Sequence, residues 1–148
     1  GVKRRFEYIV RTPEVVYIDD YAHHPAELEA VIGAAKMMYP DRKITGIFQP
    51  HLYTRTRDFA EGFAAALDML DECILLDIYP AREQPIPGVT SAMIADLMKN
   101  PNVNLTTKND LLKVLKTKDI EVLMTMGAGD IDTFIEPIKT QLTASTKS

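Results

Sequence analysis

The sequence predicts a three-layer α/β domain, a mostly parallel sheet of about six strands with helices on both faces. Three observations carry that prediction. Short apolar runs alternate with helical patterns along the chain. The apolar runs are continuous rather than alternating, as in strands covered on both faces. At 148 residues and 46% hydrophobic composition, one domain has enough apolar surface to fill a core. Right-handed crossovers between parallel strands then give a Rossmann-like arrangement.

The elements follow in order. Residues 1–9 read as a first strand, and residues 15–18 (Val-Val-Tyr-Ile) as a buried one. Residues 25–39 form a helix with Pro25 at its first position, where a missing N–H costs nothing. Leu28, Val31, Ile32 and Ala35 recur at helical spacing and face the sheet. Pro40 ends that helix. Residues 43–48 are the next strand, and residues 56–70 the next helix, with Phe59, Phe63, Ala66 and Leu70 along one face. Residues 73–76 make a short strand that runs into a long loop, 77–88, punctuated by Pro80, Pro85 and Pro87. Thr90 and Ser91 are suited to cap a helix reaching about Lys99. Residues 102–105 are a weak strand near an edge, and residues 109–115 a short helix. Residues 122–126 are a buried strand leading through Gly127-Ala128-Gly129-Asp130 into a last helix, 131–142. The domain is expected to end at residue 142, and residues 143–148 to form a flexible polar tail.

Composition excludes several classes of function. A net charge of −4 with scattered basic residues gives no footprint for a nucleic-acid groove. The single cysteine, Cys73, rules out an internal disulfide framework and suits a reducing, cytoplasmic setting. No apolar run reaches the length of a membrane span, and no signal peptide is expected. The chain opens at Gly1 directly on a strand, which reads as a cut within a longer protein.

Two turns hold the chemistry. Residues 19–25, Asp-Asp-Tyr-Ala-His-His-Pro, place two carboxylates, a phenol and two imidazoles between a strand and a helix. In a parallel sheet that turn lies at the carboxyl edge, where ligands bind. Capping the helix accounts for Asp20 and one histidine but not for five polar side chains. A metal centre is the alternative chemistry, yet adjacent histidines on a turn point in different directions, and no metal ligand is assigned. The second turn, residues 49–57, Gln-Pro-His-Leu-Tyr-Thr-Arg-Thr-Arg, follows a buried strand in the same way. The planar donor fork of arginine reads it as an anion clamp, helped by the start of a helix near Thr56. The glycines at 127 and 129 are read as close packing at a strand-to-helix turn, since neither a dinucleotide fingerprint nor a Gly-x-x-x-x-Gly-Lys-Ser/Thr loop is present. A serine nucleophile elbow is absent too.

These motifs, with Asp-Ile-Tyr-Pro-Ala-Arg-Glu-Gln-Pro-Ile at 77–86, resemble the C-terminal domain of the bacterial Mur ligases. Arg4-Arg5-Phe6 and Met126-Gly127-Ala128-Gly129-Asp130 fall where that family places similar residues, so the resemblance covers nearly the whole chain. It implies two further domains, an N-terminal one holding a UDP-sugar and a central ATPase domain with the phosphate loop. It also implies ATP and Mg2+, bound mainly by the central domain. Within the family, the motifs fit the members that join L-alanine to UDP-N-acetylmuramate through an acyl phosphate. The resemblance gives Arg5, Asp20 and Tyr21 to the nucleotide, and Tyr21, His51 and Arg55 to L-alanine, with Arg55 on its carboxylate. Catalytic roles fall to His23 and His51, either of which could take the proton of the amine. Many members carry arginine directly after the motif histidine where this chain has Leu52, so Arg57 is a candidate for the missing arm. Small Ala81 stands where diaminopimelate-adding relatives carry arginine, which suits a small amino acid. The alternatives are a ligase that recycles murein tripeptide, or a stand-alone module binding nucleotides or peptides. Without its neighbours, the domain alone is expected not to catalyse ligation.

Overall fold

The computed structural model describes residues 4–146. Six strands form one sheet in the order β1-β2-β6-β3-β4-β5. They are β1 (Glu7–Arg11), β2 (Val16–Asp20), β3 (Ile44–Phe48), β4 (Glu72–Leu75), β5 (Val103–Leu105) and β6 (Val122–Met126). Only β1 runs antiparallel to its neighbour, and every other pair is parallel. The predicted architecture is therefore present, with β5 at the edge where its weak pattern placed it.

Strand periodicity divides the core in two. Val16, Ile18, Phe48 and Met124 point to one face and pack on α1 (Pro25–Met38), α2 (Tyr53–Leu67) and α3 (Ala92–Leu97) through Leu28, Ile32, Phe63 and Ile94. Tyr17, Ile47, Ile74 and Leu123 point to the other and meet α4 (Leu111–Lys116) and α5 (Ile135–Thr146) through Leu111, Leu115 and Ile138. All five residues of β3 and of β6 are buried, because these strands lie inside the sheet under both helical layers. Gly46 on β3 lets Leu70 close over the sheet, where an added Cβ would lie 2.6 Å from the Leu70 side chain.

Several elements differ from the sequence reading for identifiable reasons. Helix α2 starts at Tyr53 rather than Thr56 and ends at Leu67 rather than Leu70. Inside it, Phe59 leaves helical geometry (φ −120°, ψ 19°) and is 47% exposed, so it is not on the buried face with Phe63 and Ala66. Helix α3 stops at Leu97, because the Asp68 carboxylate draws off the N–H groups of Lys99 and Asn100. Thr90 accepts the Ala92 N–H, whereas Ser91 donates its hydroxyl to the Leu76 carbonyl. Residues 131–142 divide into a 3₁₀ turn, Asp130–Phe134, followed by α5. That helix continues to Thr146, past the residue-142 boundary, and the end of the expected tail, residues 147–148, lies outside the described residues. So does the beginning of the expected first strand, residues 1–3, while β1 itself starts at Glu7.

A buried ion pair ties the start of the described chain to the sheet. Asp19 is fully buried on β2 and receives Arg4 Nε at 2.7 Å and the Thr125 hydroxyl at 2.6 Å. Tyr17 shares that hydroxyl at 3.0 Å, and Arg4 Nη2 also donates to the Gly127 carbonyl at 3.0 Å. Arg4 and Phe6 hold positive φ values of 76° and 46°, unfavourable for residues with a Cβ. The ion pair and the bond from the Phe6 N–H to Asp20 hold that conformation in place.

Removing one member leaves the other unpaired, Asp19 fully buried or Arg4 largely shielded from solvent. Arg4→Met is expected to destabilise the chain by about 3 kcal/mol, and Asp19→Asn by a similar amount. The double variant should lose clearly less than the sum. Urea unfolding of the three variants measures this, and additive losses would mean that the two groups do not interact.

Candidate functional site

β2, β6 and β3 end at one level, with Asp20 beside Met126 and Met126 beside Phe48. The turns that follow them therefore leave the sheet side by side. A fourth segment joins them, because the backbone of Tyr79 bridges that of His51. The Leu52 N–H donates to the Tyr79 carbonyl at 2.9 Å, and the Tyr79 N–H to the Pro50 carbonyl at 2.8 Å.

On the first turn, Asp20 accepts the N–H groups of Phe6 (2.7 Å) and Ala22 (2.8 Å), so it fixes the turn and not the helix end. Burial pushes its carboxyl above the usual range, although these two donors pull the other way. The helix end falls to Glu27, whose carboxylate accepts the N–H groups of both His23 and His24 at 3.1 Å. A cleft of about 340 Å³ opens beside this turn, lined by Arg5, Phe6, Asp20, Tyr21, Glu27 and Val31 among others. It brings together the three residues that sequence resemblance gave to a nucleotide. Tyr21 is 46% exposed at its rim, under the guanidinium of Arg4.

On the second turn, Arg55 sits one helical turn after His51 and places Nη1 3.1 Å from His51 Nδ1. Guanidinium stays protonated, so it donates and His51 Nδ1 accepts, which leaves the imidazole proton on Nε2. The ring of His51 stacks on Tyr79 at 5.7 Å. His23, as a neutral ring, is the opposite tautomer: its Nδ1 lies 3.0 Å from the Tyr21 carbonyl, an acceptor only, so Nδ1 carries the proton and Nε2 is the acceptor. The rings of His23 and His51 are 6.2 Å apart. One edge thus presents a proton acceptor and a proton donor next to a guanidinium. Burial lowers the His51 pKa, and Arg55 and His23 lower it further, against a smaller opposing pull from Glu83. His24 is lowered as well, by burial and then by Arg55 and His23.

Other expectations fare differently. Arg57 is turned outward onto Asp58 at 2.8 Å and supplies no second arm to the clamp. Leu52 adopts a φ of 75°, and its carbonyl accepts the N–H and the hydroxyl of Thr56. The positive end of α2 is already occupied by Glu83, which accepts the N–H groups of Tyr53 (2.6 Å) and Thr54 (3.2 Å). The anion expected at that helix start is the chain's own carboxylate. Gly127 and Gly129 do serve close packing, because an added Cβ at Gly129 would lie 2.4 Å from the Gln49 side-chain oxygen. Gln49, buried, joins the second and third turns through Asp130 (2.7 Å) and the Ile131 N–H (3.0 Å). Arg4, Asp19, Tyr79 and Glu83 stand in stretches that the sequence reading marked, Tyr79 and Glu83 in a loop long enough to shape a pocket, but it gave none of them an individual role. A carboxylate within the proline-rich loop was the available signal for Glu83, and the pairs Arg4-Arg5 and Asp19-Asp20 were the signal for Arg4 and Asp19.

The profile of the family described as Mur ligase, glutamate ligase domain, matches residues 4–129. A UDP-N-acetylmuramate–L-alanine ligase of Parabacteroides distasonis is 58% identical over 139 residues, covering 94% of this chain and 30% of that protein. The crystal structure of the UDP-N-acetylmuramate-alanine ligase of Thermotoga maritima superposes with a TM-score of 0.77 at 31% identity, over 98% of this chain and 31% of the other. A murein peptide ligase of Psychrobacter arcticus gives 0.74 at 21% identity, over 96% of this chain and 30% of the other, a likeness of fold. This chain therefore spans about 30% of the length of these relatives.

Imidazole titration by NMR tests the electrostatics. His51 should titrate below the free value of about 6.5, and Arg55→Ala should move its midpoint upward. Because the folded midpoint is depressed, the neutral ring's contribution to stability is complete above about pH 6.5 and fades as pH falls through the folded midpoint. A midpoint at or above the free value, unmoved by Arg55→Ala, would contradict the geometry.

Proposed function

We propose, from the premise that the chain belongs to the Mur ligase family as its glutamate ligase domain, that it is the amino-acid-binding part of an ATP-dependent ligase joining L-alanine to UDP-N-acetylmuramate. The observation that carries this reading is the Arg55–His51 pair, 3.1 Å apart, on the same edge as the cleft of Arg5, Asp20 and Tyr21. The 58% identity to a relative named for L-alanine favours the alanine-adding activity over tripeptide recycling.

In this reading the lactyl carboxylate attacks the γ-phosphorus of ATP, giving an acyl phosphate and ADP. Arg55 and the Nε2–H of His51 hold the carboxylate of L-alanine, an ion for which a guanidinium fork is suited. The bare Nε2 of His23 accepts a proton from the ammonium group, and the free amine attacks the acyl carbon. Collapse of the tetrahedral intermediate expels phosphate and leaves the amide. Tyr21 stands between the two pockets, and Arg5 and Asp20 face the nucleotide from the cleft. His51 suits binding better than base catalysis, since its Nδ1 is taken by Arg55. Mg2+ neutralises phosphate oxygens in such transfers. The proposal leaves the ion mainly to the central domain that the resemblance implies; among the described residues no group of three or more His, Cys, Asp and Glu side chains is placed to hold a metal. Among them, too, no helix is long and apolar enough to cross a membrane, and the proposal sets the reaction in the cytoplasm, where ATP is available.

The test is phosphate release from ATP and UDP-N-acetylmuramate by the full-length protein, with L-alanine, glycine, L-serine or murein tripeptide as acceptor. Alanine-dependent release is expected. Arg55→Ala should raise the KM for alanine by about 30-fold, the value of one charge-assisted hydrogen bond of ~2 kcal/mol. Release only with tripeptide would move the protein to recycling, and no release with any acceptor would leave a binding module. The 148-residue chain alone should show no ligation, because closure of the other domains completes the site.

A further inference from the structure

Glu83 has no part in the chemistry above, yet it touches the element that carries the clamp. Its carboxylate accepts the N–H groups of Tyr53 and Thr54 and the Thr54 hydroxyl, the last at 2.5 Å. These are the first residues of α2, which has no capping hydrogen bond from its own Leu52. Glu83 closes a turn on the Pro80 carbonyl (2.9 Å), one residue after Tyr79, whose ring lies against His51. Two backbone bonds from residues 50 and 52 reach that same Tyr79. The turn 79–83 and the first turn of α2 are thus joined at both ends, by the Tyr79 backbone and by the Glu83 carboxylate. His51 lies within the first attachment, and Arg55 directly follows the second. Strain sits here as well, since Leu52 (φ 75°) and Ala81 (φ 54°) are both left-handed without being glycine.

We propose that Glu83 is a positioning residue for the amino-acid clamp: by holding the first turn of α2 against the 79–83 turn, it fixes the Arg55–His51 contact before substrate arrives. A second consequence concerns charge. With its positive end neutralised by Glu83, α2 offers no competing seat for an incoming carboxylate, which is left to Arg55. Glu83 is half-buried, which fits this role, because it works through geometry at the rim of the site. Its own pKa is held below the usual range, first by the Thr54 hydroxyl, so it is ionised at neutral pH. The groups facing His51 are Arg55, His23 and Glu83 itself.

The proposal rests on the ligase reading for its kinetic arm only. In the 148-residue chain, 15N spectra of the imidazoles report the His51 tautomer directly. The unmodified chain should show the Nε2–H form. Glu83→Ala should show a mixture of tautomers, while Glu83→Gln, which keeps an acceptor for the backbone N–H groups, should largely restore the first form. Thermal unfolding run alongside ensures that the folded state is being read. In the full-length protein, Glu83→Ala should raise the KM for L-alanine by about tenfold with kcat within about threefold and the KM for ATP unchanged. A His51 tautomer identical in Glu83→Ala and the unmodified chain would overturn the proposal, as would an unchanged KM for alanine. If the unmodified full-length protein shows no alanine-dependent turnover, the ligase reading fails by itself and the tautomer alone decides the role of Glu83.

Discussion

The shared end-level of β2, β6 and β3 is the constraint on which the site depends. Asp20, Met126 and Phe48 are register partners, so three loops from distant parts of the chain emerge within reach of one another. A slip of one residue in any of the three would turn its side chains to the opposite face and withdraw its turn from the edge. The register is secured by what is buried beneath it. Asp19 joins β2 to β6 through Thr125 and to the start of the chain through Arg4, while Gln49 joins β3 to the turn after β6. None of these three bonds touches a ligand in the proposed reaction, and together they determine where the side chains that do so are held.

The electrostatics follow from the same arrangement. Cations at 4, 5 and 55 gather around an edge that also holds three imidazoles. Partial burial makes His24 and His51 resist a second proton, and the Arg55 guanidinium adds to the effect. Neutral rings have one donor and one acceptor nitrogen, and here the neighbours decide which is which. The Tyr21 carbonyl orients His23 one way, and the Arg55 guanidinium orients His51 the other. Two residues of the same type thereby become a proton acceptor and a hydrogen-bond donor.

The layers and most elements were legible in the sequence because continuous apolar runs and helical spacing report burial directly, as Leu28, Val31, Ile32 and Ala35 illustrate. The two polar turns were legible because buried strands feed them. What escaped was set by contacts distant in sequence. Helix α2 starts three residues early because a carboxylate 30 residues away caps Tyr53. Helix α3 stops early because Asp68 takes the N–H groups of residues 99 and 100. Phe59 matched the spacing of a buried face, but a local kink turned it outward. The division of labour between Asp19 and Asp20 depends on which side of β2 each faces, and Arg4 settles it by pairing with the buried one.

A crystal structure of the full-length protein with L-alanine and a non-hydrolysable ATP analogue tests the account most directly. The alanine carboxylate should lie about 3 Å from the Arg55 guanidinium and within reach of His51 Nε2, with its amine toward His23. The nucleotide should approach the cleft of Arg5, Asp20 and Tyr21. An alanine carboxylate bound elsewhere, with Arg55 still turned onto His51 and no ligand against it, would contradict the central claim.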